Sequence, residues 1–140
     1  MFLTFLFYPY GLFAQQYSKQ DIEDLVNHFK QYDEEMKDNF AMHTDKLKGL
    51  VTEIYEDLQN YDTKESLKNY INNLFDKYIA IGMDLKECLG NFRTQDGHYK
   101  PSQVPAKCHQ LNLNATYLEL KMRLLGYIYQ DVYKEPYLNE

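Results

Sequence analysis

The sequence lacks the short motifs by which many enzymes and cofactor-binding proteins are detected. It contains no glycine-rich phosphate loop, no G-x-S-x-G, no H-E-x-x-H and no C-x-x-C. Asp24 and His28 are four residues apart, which would place an acid beside a histidine on one helical face, but this spacing alone is a weak catalytic signal. We therefore expect a non-enzymatic protein that uses no cofactor.

Positive charge is also scarce. The 140 residues include 15 Lys plus Arg against 21 Asp plus Glu, which gives a formal net charge of −6. This sign is unfavourable for a protein that follows a nucleic-acid backbone, so we expect no nucleic-acid partner. Hydrophobic residues make up 44% and charged residues 26% of the chain, a balance that allows a buried core and differs from that of disordered proteins.

Only two cysteines are present, Cys88 and Cys108. An even cysteine count in an exported chain is typical of a disulfide, whereas in a cytosolic protein the same pair would be two thiols. A zinc site with His98 and His109 is a further alternative, but the spacing matches no common zinc motif, and adjacent Cys108 and His109 are poorly placed to bind one ion. We predict a disulfide and no metal site.

The sequence has no hydrophobic run long enough for an ordinary transmembrane helix. Residues 1–14 carry no charge, and the chain becomes polar at Gln15. A helix of this length would span about 21 Å, less than the roughly 30 Å hydrocarbon core of a bilayer. We interpret the segment as a secretory signal peptide that ends at Ala14. It departs from the usual pattern in two ways: no Lys or Arg precedes the apolar run, and Leu12 is larger than the small residue preferred at that position before a cleavage site. An apolar strand packed on the domain and an interfacial anchor are the alternatives.

Residues 15–140 then form a single mature helical domain, secreted or periplasmic. Hydrophobic residues recur in it at three- and four-residue steps, the spacing of amphipathic helices. A first, coiled-coil-like helix is predicted over residues 18–60, and a second over residues 63–89. A third is predicted to begin near Asn112 or Asn114 and to end before the last proline.

The short link between the first two predicted helices makes them antiparallel, and residues 91–111 are predicted to be an irregular connection. The predicted fold class is an all-α antiparallel bundle of three long helices. A four-helix bundle results if the first helix breaks near residues 43–49, where Gly49 weakens the helix.

The predicted first helix also indicates a function. At about 60 Å it would be longer than the other two, at about 40 and 30 Å, and part of its apolar stripe would stay uncovered. Residues 17–60 hold 11 acidic and 5 basic residues, so the excess negative charge lies there. We predict that the chain acts by association, either with another protein or with its own copies. The predicted partner-binding residues are Asp21, Asp24, Phe29, Asp33, Met36 and Phe40.

Several roles fit this outline. They are an adaptor, a component of a secretion system, and a small acidic inhibitor of the immunity type. The alternative function is the carriage of a small apolar ligand between helices, which the Phe, Tyr and Met content favours. Contact with a membrane is expected only through residues 1–14, if they are not removed.

Overall fold

A computed structural model describes residues 16–42, 46–90 and 105–137. Within these ranges the chain is all-α, with five helices and no strand, which confirms the predicted fold class at that level. The helices are α1 (Lys19–Tyr32), α2 (Glu34–Met42), α3 (Leu47–Asn60), α4 (Lys64–Gly90) and α5 (Ala106–Tyr133). None of the helices in the described ranges has the length and hydropathy needed to cross a bilayer. The predicted signal segment lies outside the described residues.

The prediction of one continuous helix over residues 18–60 is wrong, because the chain breaks first at Asp33. The backbone of Asp33 is extended, with φ −116° and ψ 105°. Its carboxylate accepts a hydrogen bond from the backbone N–H of Met36 at 3.0 Å, so it caps the start of α2. Glu34 and Glu35 follow in the first turn, where negative charge interacts favourably with the helix dipole.

A second break separates α2 from α3. Helix α2 ends at Met42 and α3 begins at Leu47, in the region where the four-helix alternative expected a break, although Gly49 itself is inside α3. Because the chain also breaks at Asp33, the described residues form five helices in place of the predicted three or four. The breaks allow the N-terminal helices to fold back on one another, which a straight helix of the same length could not do.

The cap at Asp33 leads to a stability prediction. We expect Asp33→Ala to lower the free energy of unfolding by about 1 kcal/mol, because the first turn of α2 loses its side-chain acceptor. Urea denaturation followed by circular dichroism measures this loss. Asp38→Ala removes an exposed carboxylate from the same helix and is expected to change stability by no more than about 0.5 kcal/mol. Equal losses in the two variants would contradict the capping role.

The starts of the other helices depend on similar local contacts. The hydroxyl of Ser18 accepts from the backbone N–H of Asp21 at 3.0 Å, and the Asp21 carboxylate accepts from the Ser18 N–H at 2.9 Å. This is a capping box at α1. At α4, the Thr63 hydroxyl accepts from the backbone N–H of Ser66 at 3.1 Å, so Thr63 caps this helix.

The central helix of the fold is α5. Its buried residues occur on every side of it, which is typical of a helix with neighbours all round. They are Cys108, Ala115, Thr116, Leu120, Lys121, Met122, Leu124, Leu125, Gly126, Ile128, Tyr129 and Val132. Helix α4 packs along α5, α2 and α3 contact α5 from other directions, and α1 packs on α2 and α3.

A disulfide closes the hairpin formed by α4 and α5. Cys88, near the end of α4, is bonded to Cys108, in the first turn of α5, with the two Cα atoms 5.8 Å apart. This is the pairing that the cysteine count favours. Helix α5 begins at Ala106, directly after a proline with extended backbone, and not at Asn112 or Asn114. The bond therefore joins two helices.

The opposite end of the hairpin is held by the C-terminal segment. Lys134 ends α5 in the left-handed conformation, with φ 59°. The buried Tyr129 hydroxyl then donates to the Glu135 carboxylate at 2.5 Å, and Lys64 of α4 lies 3.0 Å from the same carboxylate. The hydrogen bonds from Tyr129 and Lys64 lower the pKa of Glu135.

The apolar stripe of the N-terminal helices is covered. Its members are buried in one core with α4 and α5, and they are Ile22, Leu25, Val26, Met36, Phe40, Leu50, Ile54 and Leu58. The prediction of an uncovered overhang on the first helix is therefore wrong, because the two breaks fold this stripe inward. Among the residues that the structure describes, the exposed large aliphatic side chains are instead Ile79 and Met83 in the C-terminal half of α4.

Candidate functional site

Exposed aromatic rings cluster where the C-terminal half of α1 meets α5. Tyr127 on α5 is 45% exposed, and Tyr32 at the end of α1 is 71% exposed. The half-buried ring of Phe29 meets Tyr127 edge to face, with centroids 5.7 Å apart. The ring of His28 lies 5.0 Å from that of Tyr32. The four rings form a surface that is partly apolar and carries polar groups at its edges.

Tyr127 separates two clefts that are open to solvent. The first has a volume of about 420 Å³, and aromatic rings including Phe29, Tyr78 and Tyr137 line it around Arg123. The second has a volume of about 360 Å³. Its lining residues are Tyr17, Asp21, Asp24, Leu25, His28 and Tyr127.

The guanidinium group of Arg123, in the first cleft, forms ion pairs with two carboxylates. The Nη2 atom of Arg123 lies 2.6 Å from a carboxylate oxygen of Glu35 on α2 and 3.2 Å from one of Glu119 on α5. Burial raises the pKa of Glu119, and the positive charge of Arg123 opposes that rise. Arg123 therefore connects α2 to α5.

A glycine allows the C-terminal segment to form one edge of the first cleft. A Cβ atom at Gly126 would lie 2.6 Å from the ring of Tyr137, so only glycine fits beneath this ring without displacing it. Tyr137 lies beyond the end of α5, and its ring packs back across this helix at Gly126.

The second cleft is acidic. Asp21 and Asp24 line it, and the Tyr17 hydroxyl beside them donates a hydrogen bond to Asp131 of α5 at 2.5 Å. Burial and the contact with Asp131 raise the pKa of Tyr17 above its ordinary value, so this hydroxyl stays protonated at neutral pH. The cleft therefore presents carboxylates beside an aromatic ring, which suits a cationic side chain.

Three of the predicted partner-binding residues lie at these clefts. Phe29 lines the first, and Asp21 and Asp24 line the second. Together with neighbouring rings they form one surface, which we call the Tyr127 face. It consists of Asp21, Asp24, His28, Phe29, Tyr32 and Tyr127.

The other three predicted partner-binding residues have structural positions. Met36 is 0% exposed and Phe40 is 1% exposed, because α2 turns their side chains into the core. The carboxylate of Asp33 caps α2. We therefore leave these residues out of the candidate surface.

The sequence did not identify Tyr127 or Tyr32 as surface residues. Tyr127 lies in a helix rich in apolar residues on all sides, so its exposure depends on how α5 is rotated in the fold. Tyr32 was missed because a continuous helix was expected, and the break one residue later leaves its ring without cover. The Asp and Glu residues that follow Tyr32 are a helix-start signal that could have located this break.

The structure also bears on metal binding and ligand carriage. Cys88 and Cys108 are bonded to each other, and within the described ranges no group of three His, Cys, Asp or Glu side chains could hold a metal ion. His98 lies outside those ranges. Both clefts at the Tyr127 face are open and bordered by charged groups, which does not favour carriage of an apolar ligand.

Comparisons of the chain with protein-family models, with curated proteins and with solved structures find no match.

Proposed function

We propose that the protein is exported and acts without catalysis, by binding another protein through the Tyr127 face. The observation that carries the proposal is the exposure of large aromatic side chains at its centre, 71% for Tyr32 and 45% for Tyr127. Tyrosine is common in protein interfaces, because its ring supplies buried apolar area while its hydroxyl keeps a hydrogen bond. The entropic cost of ordering a tyrosine side chain is small, because the side chain has few rotatable bonds.

The charge of the surrounding surface favours a partner that carries Lys or Arg. Residues 19–42, which form α1 and α2, hold seven acidic and three basic residues. A cationic side chain in the second cleft would lie near the carboxylates of Asp21 and Asp24 and beside the ring of Tyr127. It would gain ion pairing and a cation–π contact at once.

The disulfide supports export. Such bonds persist in oxidising compartments and are rare in the cytosol. This agrees with the interpretation of residues 1–14 as a secretory signal, and we place the protein in the periplasm or outside the cell. The roles that fit such a protein are an adaptor, a component of a secretion system and an inhibitor of the immunity type.

This function can be tested by immobilising the protein and exposing it to the secreted or periplasmic fraction of its native host. We expect the wild type to retain a partner that increasing salt elutes, because part of the attraction is between charges. Tyr127→Ala and Asp24→Lys are each expected to reduce retention by about tenfold or more, since the first removes the central ring and the second reverses a charge.

Two matched variants serve as controls. Tyr127→Phe keeps the ring and is expected to retain most of the binding. Asp84→Lys makes the same charge reversal at an exposed position of α4, away from the Tyr127 face, and is expected to bind like the wild type. A partner retained equally by all variants, or no retained partner at all, would contradict the proposal.

A further inference from the structure

One asparagine of the chain lies in the sequence pattern that accepts an N-linked glycan. Asn114 is followed by Ala115, which is not a proline, and then by Thr116. No other asparagine in the sequence is followed in this way by a Ser or Thr. Because the pattern is short, the compartment of the chain and the exposure of the asparagine decide whether it can carry a glycan.

The compartment that this modification requires agrees with the disulfide. Cys88 is bonded to Cys108, and such bonds form in the lumen of the secretory pathway. Glycans are attached to the asparagine of this pattern in secreted proteins. A glycan at Asn114 therefore requires the proposed export of the chain, but it does not require binding at the Tyr127 face.

Asn114 is exposed because α3 does not extend along α5 as far as this residue. Helical geometry places Asn114 on the same side of α5 as Lys121, seven residues later. Lys121 is buried and pairs with two carboxylates of α3. Lys46, directly before α3, has its ammonium group 5.4 Å from the centre of the Tyr117 ring. The start of α3 is therefore level with Tyr117, and Asn114 lies beyond it.

The hydrogen bond of the Asn114 side chain does not use the atom that would carry a sugar. The amide group of Gln110, an exposed residue one turn earlier, donates to the amide oxygen of Asn114 at 3.0 Å. A glycan is joined to the amide nitrogen instead. Because Asn114 is outside the core, the folded helix can carry a glycan at this nitrogen without a change in its packing.

We propose that Asn114 carries an N-linked glycan, attached in the secretory pathway of a eukaryotic cell before α5 folds. The amide nitrogen of Asn114 forms a bond to the anomeric carbon of an oligosaccharide that is held on a polyisoprenyl pyrophosphate. The bond between this carbon and the pyrophosphate oxygen breaks, and the lipid pyrophosphate leaves. The nitrogen loses one of its two protons to a base of the transferase, and nothing is oxidised or reduced.

The geometry of the folded helix is the reason that attachment precedes folding. The hydroxyl of Thr116 donates to the backbone carbonyl of Asn112 at 2.8 Å, and Thr116 is 8% exposed. At about 100° per residue, the side chains of Asn114 and Thr116 point about 160° apart around α5. A transferase that recognises the asparagine together with the hydroxyl therefore needs the chain before this helix forms.

The glycan would lie away from the Tyr127 face. Tyr127 follows Asn114 by 13 residues, which corresponds to about 140° around α5 and about 20 Å along it. A bulky, solubilising group at Asn114 therefore covers the exposed strip of α5 near the disulfide and leaves the proposed binding surface accessible. Of the two destinations proposed above, it selects the outside of the cell.

The mass of the chain secreted by its native host tests this proposal. We expect the intact protein to be heavier than its polypeptide, with or without residues 1–14, and a peptide N-glycosidase to remove all of the excess mass. This enzyme hydrolyses the amide that bears the glycan and converts the asparagine to aspartate. Mass spectrometry of the peptide that contains position 114 is expected to show this conversion.

Three variants secreted by the same host locate the glycan. Asn114→Gln removes the acceptor and is expected to abolish the excess mass completely. Asn112→Gln is the matched control, because it changes an exposed asparagine two residues away that lacks the pattern, and it is expected to keep the whole glycan. Thr116→Ser keeps a hydroxyl at the third position and is also expected to be glycosylated.

The outcomes separate this proposal from the proposed function. A secreted, disulfide-bonded chain with the mass of the bare polypeptide overturns the glycan and leaves export intact, whereas a chain retained in the cell with free thiols overturns both. Excess mass that survives in Asn114→Gln, or that disappears in Asn112→Gln, also overturns the proposal. Asn114→Gln is expected to bind the partner like the wild type, so a failure of the Tyr127 face is measured independently.

Discussion

Replacing Lys121 with alanine is expected to lower the free energy of unfolding by about 3 to 5 kcal/mol. The ammonium nitrogen of Lys121 on α5 lies 2.9 Å from a carboxylate oxygen of Glu53 and 3.0 Å from one of Asp57, both on α3. Lys121 is 8% exposed and Asp57 is 9% exposed. The substitution therefore leaves a buried carboxylate without its counter-ion, which costs more than the pair itself contributes.

The pKa shifts at this site add a pH dependence. Burial by itself lowers the pKa of Lys121, but hydrogen bonds with Tyr70, Glu53 and Asp57 raise it above its ordinary value overall, so the lysine stays charged. Burial raises the pKa of Asp57, and Lys121 opposes that rise. Without the lysine, the pKa of folded Asp57 rises further above that of the unfolded chain. A raised carboxyl pKa destabilises the fold at neutral pH, and this penalty is lost as the pH falls below the ordinary Asp pKa of about 4.

Urea denaturation at several pH values measures both effects. The difference between wild type and Lys121→Ala is expected to be largest at neutral pH and to shrink as the pH falls through and below about 4, because Asp57 becomes protonated in both states only below its ordinary pKa. Lys77→Ala, at an exposed position of α4, is expected to change stability by no more than about 0.5 kcal/mol. A loss below about 1 kcal/mol in Lys121→Ala, or a loss that grows on acidification, would show that the pair does not support the fold in this way.

Removal of the disulfide has the second large expected effect. The double variant Cys88→Ala/Cys108→Ala is expected to lose about 3 kcal/mol of unfolding free energy, because a bond across a sequence separation of 20 residues restricts the unfolded chain. The disulfide lowers the conformational entropy of the unfolded chain and contributes little to the folded state. The helices themselves are therefore expected to form in the variant.

Thermal and urea unfolding with and without a thiol reductant measures this contribution. Reduced wild type is expected to match the double variant, and reductant is expected to leave the double variant unchanged, which makes that variant its own control. A double variant as stable as the oxidised wild type would contradict the prediction. A variant still sensitive to reductant would show that the reductant acts elsewhere in the protein.

Local sequence signals predicted the parts of this fold that depend on neighbouring residues. The second helix was predicted over residues 63–89 and is found at Lys64–Gly90, since its apolar period and its glycine stop are local. The capping box of α1 likewise involves only Ser18 and Asp21, which are three residues apart. The predicted start of α5 is too late, because the two prolines and the Asp-Gly turn within residues 91–111 indicate an irregular connection over that whole segment.

The candidate surface could be predicted only in part. A helical period shows which residues share a face, and it correctly grouped the apolar stripe of the N-terminal helices. It does not show which neighbour covers that face. Asp24 and Phe29 therefore lie on an accessible surface, while Met36 and Phe40, assigned to the same surface, are buried because α2 turns their side chains into the core.

The sequence by itself determined the all-α class, the pairing of the two cysteines and the acidic character of the N-terminal helices, because each follows from composition or from residues close in the chain. Only the tertiary structure decided that α5 is the central helix, that Lys121 is buried between two carboxylates, and which aromatic and aliphatic side chains stay exposed. These features depend on contacts between helices that are far apart in sequence. The burial of a side chain is set by the elements packed against it as well as by its own helix.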